Sequence, residues 1–133
     1  MDRPKEASRC RQRIAESLSH LARLAHAVQG RESMIRASLY RYRRRCGTSG
    51  CRCERGALHE GRALSVSDGR RSHPVSLAGL DLAEVERQVE AYRQWRQTRA
   101  KIVRSFAEFL EAGDELARLR TVPLRHGVRT RSR

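Results

Sequence analysis

The sequence predicts an α+β fold that is mostly α: an N-terminal helix, a small antiparallel three-stranded sheet around a zinc knuckle, and a long C-terminal helix. Three observations predict it. The apolar period is helical at both ends of the 133-residue chain and alternating in the middle. The middle carries a compact ligand run, Cys46-Gly47-Thr48-Ser49-Gly50-Cys51-Arg52-Cys53, followed by His59. Finally, Asp68-Gly69 between two alternating segments is a hairpin signature. Four segments follow: an amphipathic helix in 1–30, the Cys-rich knuckle and hairpin in 31–80, the long helix in 81–120, and a disordered basic tail in 121–133.

The first helix is expected over residues 5–29. Ile14, Leu18, Leu21, Ala25 and Val28 recur at spacings of four and three, with Arg, Glu and Gln outside the stripe, and Gly30 supplies a stop signal. Cys10, near the start of this helix, reads as a small semi-apolar helix residue rather than a ligand. Residues 33–43, with Met34, Ile35, Leu39, Tyr40 and Tyr42, suit a strand entering the cysteine turn, although the period also allows helix to continue. After the knuckle, Leu64 and Val66 share one strand face, and His73, Val75 and Leu77 share a face of the return strand. Pro74 cannot donate to a ladder, which makes that strand an edge.

From Asp81 the period turns helical again. Asp81 is a suitable N-cap, with Glu84 three residues on in the capping-box position. Leu82, Val85, Val89 and Tyr92 begin a seam that Trp95, Ile102, Phe106, Phe109 and Leu116 extend, interrupted by Arg99 and Gly113. A helix to Arg120 would be about 58 Å long, more than a small sheet can cover. It must pack on the first helix, on a second copy or on another protein.

Thiolate and imidazole are the ligands zinc prefers, and four of them close a tetrahedral site. The metal ligands expected here are Cys46, Cys51, Cys53 and His59. Their spacing, C-x4-C-x-C-x5-H, matches no standard finger. Residues one apart point to opposite faces of a strand, so Cys51 and Cys53 reach one ion only through a turn, which Gly50 and Gly56 would help to form. His73, beside Pro74, competes with His59 for the fourth position; His59 is the nearer in sequence.

Lysine and arginine total 29 against 15 acidic residues, a net charge of +14 that is almost all arginine. Such a balance attracts a polyanion, and the cations are not scattered. Arg41, Arg43, Arg44, Arg45, Arg52 and Arg55 crowd the knuckle, with Tyr40 and Tyr42 between them, while Arg118, Arg120, Arg125, Arg129, Arg131 and Arg133 form a second group. The six around the knuckle are the expected nucleic-acid contacts, their guanidinium forks suited to phosphate. The tyrosines could stack on an unpaired base or simply pack on the sheet.

The run from Ser38-Leu39 through Arg44-Arg45-Cys46-Gly47, then Cys51-Arg52-Cys53, Gly56 and His59, resembles a bacterial and archaeal domain-of-unknown-function family. Its members carry a basic approach to C-G-x-x-x-C-x-C, a G-x-x-H-G-P-aromatic segment, a hairpin and a long helix. The resemblance covers about residues 33–110 and supports His59 as the fourth ligand. Members are often encoded beside transposases, which implies a mobile-element setting without an assigned activity. The chain departs after His59, where Glu60, Gly61, Arg62 and Ala63 replace Gly-Pro and aromatics.

No nucleophile–base pair or phosphate-cradling glycine loop is present, and four ligands leave a zinc ion no open position, so no catalytic residues are expected and the chain is not read as an enzyme. No apolar run approaches the ~20 residues of a membrane span. Glu16, His20 and Arg23 break the first apolar stretch, so no signal peptide and a cytoplasmic location are expected. The functional expectation is a zinc-stabilised, non-catalytic nucleic-acid-binding accessory protein, with DNA as partner. The alternative is a helical interaction or scaffold module with a structural cysteine cluster, working as a homodimer or on a helical protein partner.

Overall fold

The computed structural model describes residues 2–124; Arg125, His126, Arg129, Arg131 and Arg133 of the expected basic tail lie outside the described residues. The elements run α1 (Arg3–Val28), β1 (Ala37–Arg44), a 3-10 turn (Arg52–Arg55), β2 (His59–Ser67), β3 (Ser72–Ser76) and α2 (Leu82–Arg120). This is the expected mostly helical α+β order. Two compact units form from it: residues Gly30–Gln97, and α1 together with the chain from Thr98 onward. Among the described residues no helix is long and apolar enough to cross a membrane.

In the sheet unit, β2 is central, antiparallel to β1 on one side and to β3 on the other. Leu39, Leu64 and Val75 are aligned across the three strands on one face. Tyr40, Ala63 and Ser76 are aligned on the other. The central strand is covered on both faces, Leu64 being 4% and Ala63 7% exposed. The first turns of α2 lie over the Leu64 face: Val85 is buried there, and Arg62, on the same face, forms an ion pair with Glu86 at 2.5 Å. Residues 33–36 are not strand. The Ile35 amide instead donates to the Gln88 carbonyl of α2 at 3.1 Å, so β1 starts only where β2 can pair with it, at Ala37 opposite Val66.

The hairpin connection spans Asp68–Arg71 rather than Asp-Gly alone, closing at the Ser67–Ser72 pair. The Asp68 carboxylate accepts from the amides of Arg71 at 2.9 Å and Arg70 at 3.0 Å, and these bonds hold its carboxyl below the usual range. Pro74 sits opposite Ser65 on β3, an edge strand as its missing N–H requires. Asp81 caps α2, its carboxylate accepting from the amides of Ala83 and Glu84. The reciprocal half of the capping box is not made: the Glu84 carboxylate accepts from Gln88 and Arg87 instead.

In the helical unit the more covered residues of α1 include Ala7, Cys10, Ile14, Ser17, Leu21, Leu24 and Val28, with Glu6 and His20 beside them. Those of α2 include Thr98, Ile102, Ser105, Phe109, Ala112, Leu116 and Leu119. Both sets alternate steps of three and four, a heptad seam. Small residues let the helices approach, and Cys10, Ser105 and Ala112 are the most buried of the set, at 2%, 4% and 0% exposure. The Arg13 guanidinium donates to Glu115 at 2.9 Å and lies 3.9 Å from Glu111. With Arg13 beside this turn, only an antiparallel alignment covers both Leu21–Val28 and Thr98–Ser105. The seam differs from the one expected: Leu18 and Phe106 are off it, 58% and 51% exposed.

Candidate metal centre

The knuckle occupies the connection between the two longest strands. Cys46 follows the end of β1 by two residues, and His59 is the first residue of β2, opposite Arg44. Between them the backbone doubles back. Cys51 precedes the 3-10 turn and Cys53 lies inside it, which brings two thiols one residue apart to the same side. Gly56 ends the turn at φ 98°, with its amide donating to the Cys53 carbonyl at 3.3 Å, and Gly50 enters it at φ 77°. Both are left-handed conformations that favour glycine.

This path gathers the ligand atoms of Cys46, Cys51, Cys53 and His59 within 4.8 Å of one another, and the cluster could hold a metal ion. Cys46 Sγ and Cys53 Sγ are 3.6 Å apart, and Cys51 Sγ is 3.1 Å from His59 Nε2. Bonds of about 2.3 Å to sulfur and about 2.0 Å to nitrogen give a tetrahedral site edges of about 3.5–3.8 Å. The Cys46–Cys53 separation matches such an edge and the Cys51–His59 separation is somewhat shorter, so the donor set is close enough to hold one ion, and its chemistry is that of a thiolate and imidazole site. All four cysteines of the chain are free thiols. Cys53 is fully buried, Cys51 and His59 are half-buried and Cys46 is exposed, so the site is walled on one side and open on the Cys46 side.

The thiols are electrostatically unequal. Thr48 hydrogen-bonds to Cys46 Sγ, its amide donating at 3.4 Å, and with help from Cys51 and Cys53 this lowers the Cys46 pKa to about 6. A backbone bond from Cys53 acts to lower Cys51, but the side chains of Cys53 and Cys46 and partial burial outweigh it, and the Cys51 thiol is pushed up. Three thiols in one cluster cannot all ionise without a cation between them. His73 is not part of the cluster; it pairs with Val66 along the hairpin. Cys10 is buried in the helical unit and is not a member of the cluster.

All six arginines singled out around the knuckle are exposed. Strand alternation divides them: Arg41 and Arg43 project on the Leu39 face, Arg44 on the Tyr42 face, and Arg45, Arg52 and Arg55 belong to the knuckle itself. Arg43 Nε is 3.2 Å from Glu60 across the strands, and the Arg44 guanidinium lies 5.0 Å from the centre of the Tyr42 ring. Tyr40 and Tyr42 pack against each other at a tilt, 6.5 Å between centroids.

One feature of this surface escaped the sequence. Tyr42 is opposite Gly61, and its ring lies so close that a Cβ at Gly61 would come within 2.4 Å of it. An isolated glycine in an alternating strand was the available sign, since it marks close approach by another group. No family model, curated protein or solved structure matches this chain. Function is therefore argued from the site.

Proposed function

We propose that this chain is a non-catalytic, zinc-stabilised nucleic-acid-binding protein that acts on DNA, in the mobile-element setting that its cysteine motif implies. The observation that carries the reading is a three-thiol, one-imidazole cluster with three exposed arginines in its own loop and three more on the strand that leads into it. Soft thiolate donors select zinc among abundant cytosolic metals, and four protein ligands complete its tetrahedron, which suits a structural rather than a catalytic ion. The ion fixes the backbone that bears Arg45, Arg52 and Arg55, and Arg44 is steadied by the Tyr42 ring. Guanidinium groups so held can bind successive phosphates with little loss of side-chain freedom.

Two measurements test this reading. Protein purified without added metal should contain about one zinc per chain. Fluorescence anisotropy with duplex DNA, single-stranded DNA and RNA should show binding that weakens steeply with salt, because each neutralised phosphate releases counterions. Arg43→Ala, Arg44→Ala and Arg45→Ala combined should lower affinity for all sequences alike. Zinc-loaded protein that binds none of the three at low salt would transfer the reading to the helical scaffold, which the exposed apolar residues of α2 favour.

A further inference from the structure

We infer that the helical unit forms a two-fold symmetric dimer with a second copy of this chain, through a four-helix bundle with Phe106 near the axis. The starting observation is a second apolar stripe beside the covered seam. On α2, Val103, Phe106 and Leu110 are about half exposed and share a face by their spacing of three and four. On α1, Ala15, Leu18, Ala22 and Ala25 form a similar exposed stripe. Each stripe is displaced from its seam in the same rotational sense. In an antiparallel pair that puts both stripes on one side, so they make a single continuous apolar surface. Contiguous surface of this kind, rimmed by charge, marks an interaction site, and a hairpin with an uncovered second face is half of a four-helix bundle.

The charges around the stripe identify the occupant. Val103 and Leu110 are equally distant along α2 from the point between Phe106 and Ala107, and so are Arg99 and Asp114. Arg104 and Glu111 are two turns apart on one flank. Among these four, the cations precede the centre and the carboxylates follow it. A second α2 laid antiparallel across the first sets Arg99 level with the partner's Asp114 and brings Arg104 within two residues along the axis, about 3 Å, of the partner's Glu111, each twice by symmetry. Val103 then meets the partner's Leu110. A parallel copy would oppose like charges. Arg99, Arg104 and Asp114 make no ion pair among the described residues, and Glu111, only 3.9 Å from Arg13 at its nearest, keeps 70% of its side chain exposed. This dimer is independent of the nucleic-acid reading.

The test is the molar mass in solution of the zinc-loaded full chain, freed of nucleic acid, by light scattering and sedimentation. The native chain should be a dimer. One variant carries Arg99→Glu and Arg104→Glu, the other Glu111→Arg and Asp114→Arg; each should associate at least about ten-fold more weakly, because the four facing positions then bear a single sign. An equimolar mixture should restore a one-to-one heterodimer, since an all-acidic flank meets an all-basic one. Phe106→Glu should also be monomeric, with unchanged helix content by circular dichroism. A native chain that stays monomeric to about 100 µM overturns the inference. Charge variants that dimerise as well as the native chain, or a mixture that fails to recover, overturn it too.

Discussion

Cys46 meets solvent and reagents more readily than the other ligands, and its chemistry sets how the site responds to pH. With a pKa of about 6 against an ordinary 9.0, it is mostly thiolate at neutral pH, whereas Cys51 is raised and Cys53 is buried. In chelator-treated protein, iodoacetamide at pH 7 should modify Cys46 well ahead of Cys51, Cys53 and Cys10, as peptide mapping will show; Cys51 reacting first would contradict this order. The sign for metal follows. Cys46 is already ionised at neutral pH and adds to the pH dependence of ion affinity only as pH drops through about 6, whereas the raised Cys51 must shed a proton on binding at neutral pH, so affinity falls with pH there too. Bound metal should in turn shield Cys46 from alkylation. The gathering of the three thiols was legible in the C-x4-C-x-C spacing, because cysteines have few other reasons to crowd together, while His59 was preferred to His73 for its nearness in sequence and the resemblance. Their inequality was not, since it arises largely from Thr48 folding back onto one sulfur. Gly61 was legible only as an oddity, because the ring that needs its bareness belongs to another strand.

The types and order of the elements were legible because each carries a period, a cap or a turn signal of its own. The phase of the α1 stripe was not. A four–three repeat is satisfied equally by Ile14, Leu21 and Val28 with Leu18 and Ala25, or with Cys10, Ser17 and Leu24. Hydrophobicity alone favours Leu18 over Ser17. Close approach decides otherwise, since α2 offers Ser105 and Ala112 to α1 and small groups must meet small groups there. Leu24→Ala should therefore lower the stability of the chain by about 1–2 kcal/mol in denaturant titration, less than a fully buried leucine costs. Leu18→Ala should cost under about 0.5 kcal/mol of the chain's own stability and act on self-association instead. Equal destabilisation by the two would restore the stripe expected from hydrophobicity. The missing half of the capping box has a similar origin: Glu84 has nearer partners in Gln88 and Arg87 than the amide of its cap.

At the scale of the whole molecule, each compact unit has its own means of cohesion: a heptad seam in one, a ligand cluster and a two-faced central strand in the other. A chelator attacks only the second. Hydrogen exchange after zinc removal should accelerate across β1, β2 and β3 while α1 and the part of α2 beyond Thr98 keep their protection. Simultaneous loss throughout the chain would mean that the two units do not unfold separately. The charge of +14 was plain from the sequence, but the separation of the knuckle arginines onto two strand faces depends on register and could not be counted from composition. Register also gives the ligand cluster a further role. His59 is a rung of the sheet as well as a member of the cluster, lying opposite Arg44 just before Cys46. Sliding β2 by one residue would turn His59 away from the thiols and present Ala63, in place of Leu64, to α2. An ion bound there would thus work as a ruler laid across two strands: the alignment that keeps His59 beside the thiols is also the one that sets the hydrophobic parity of the sheet.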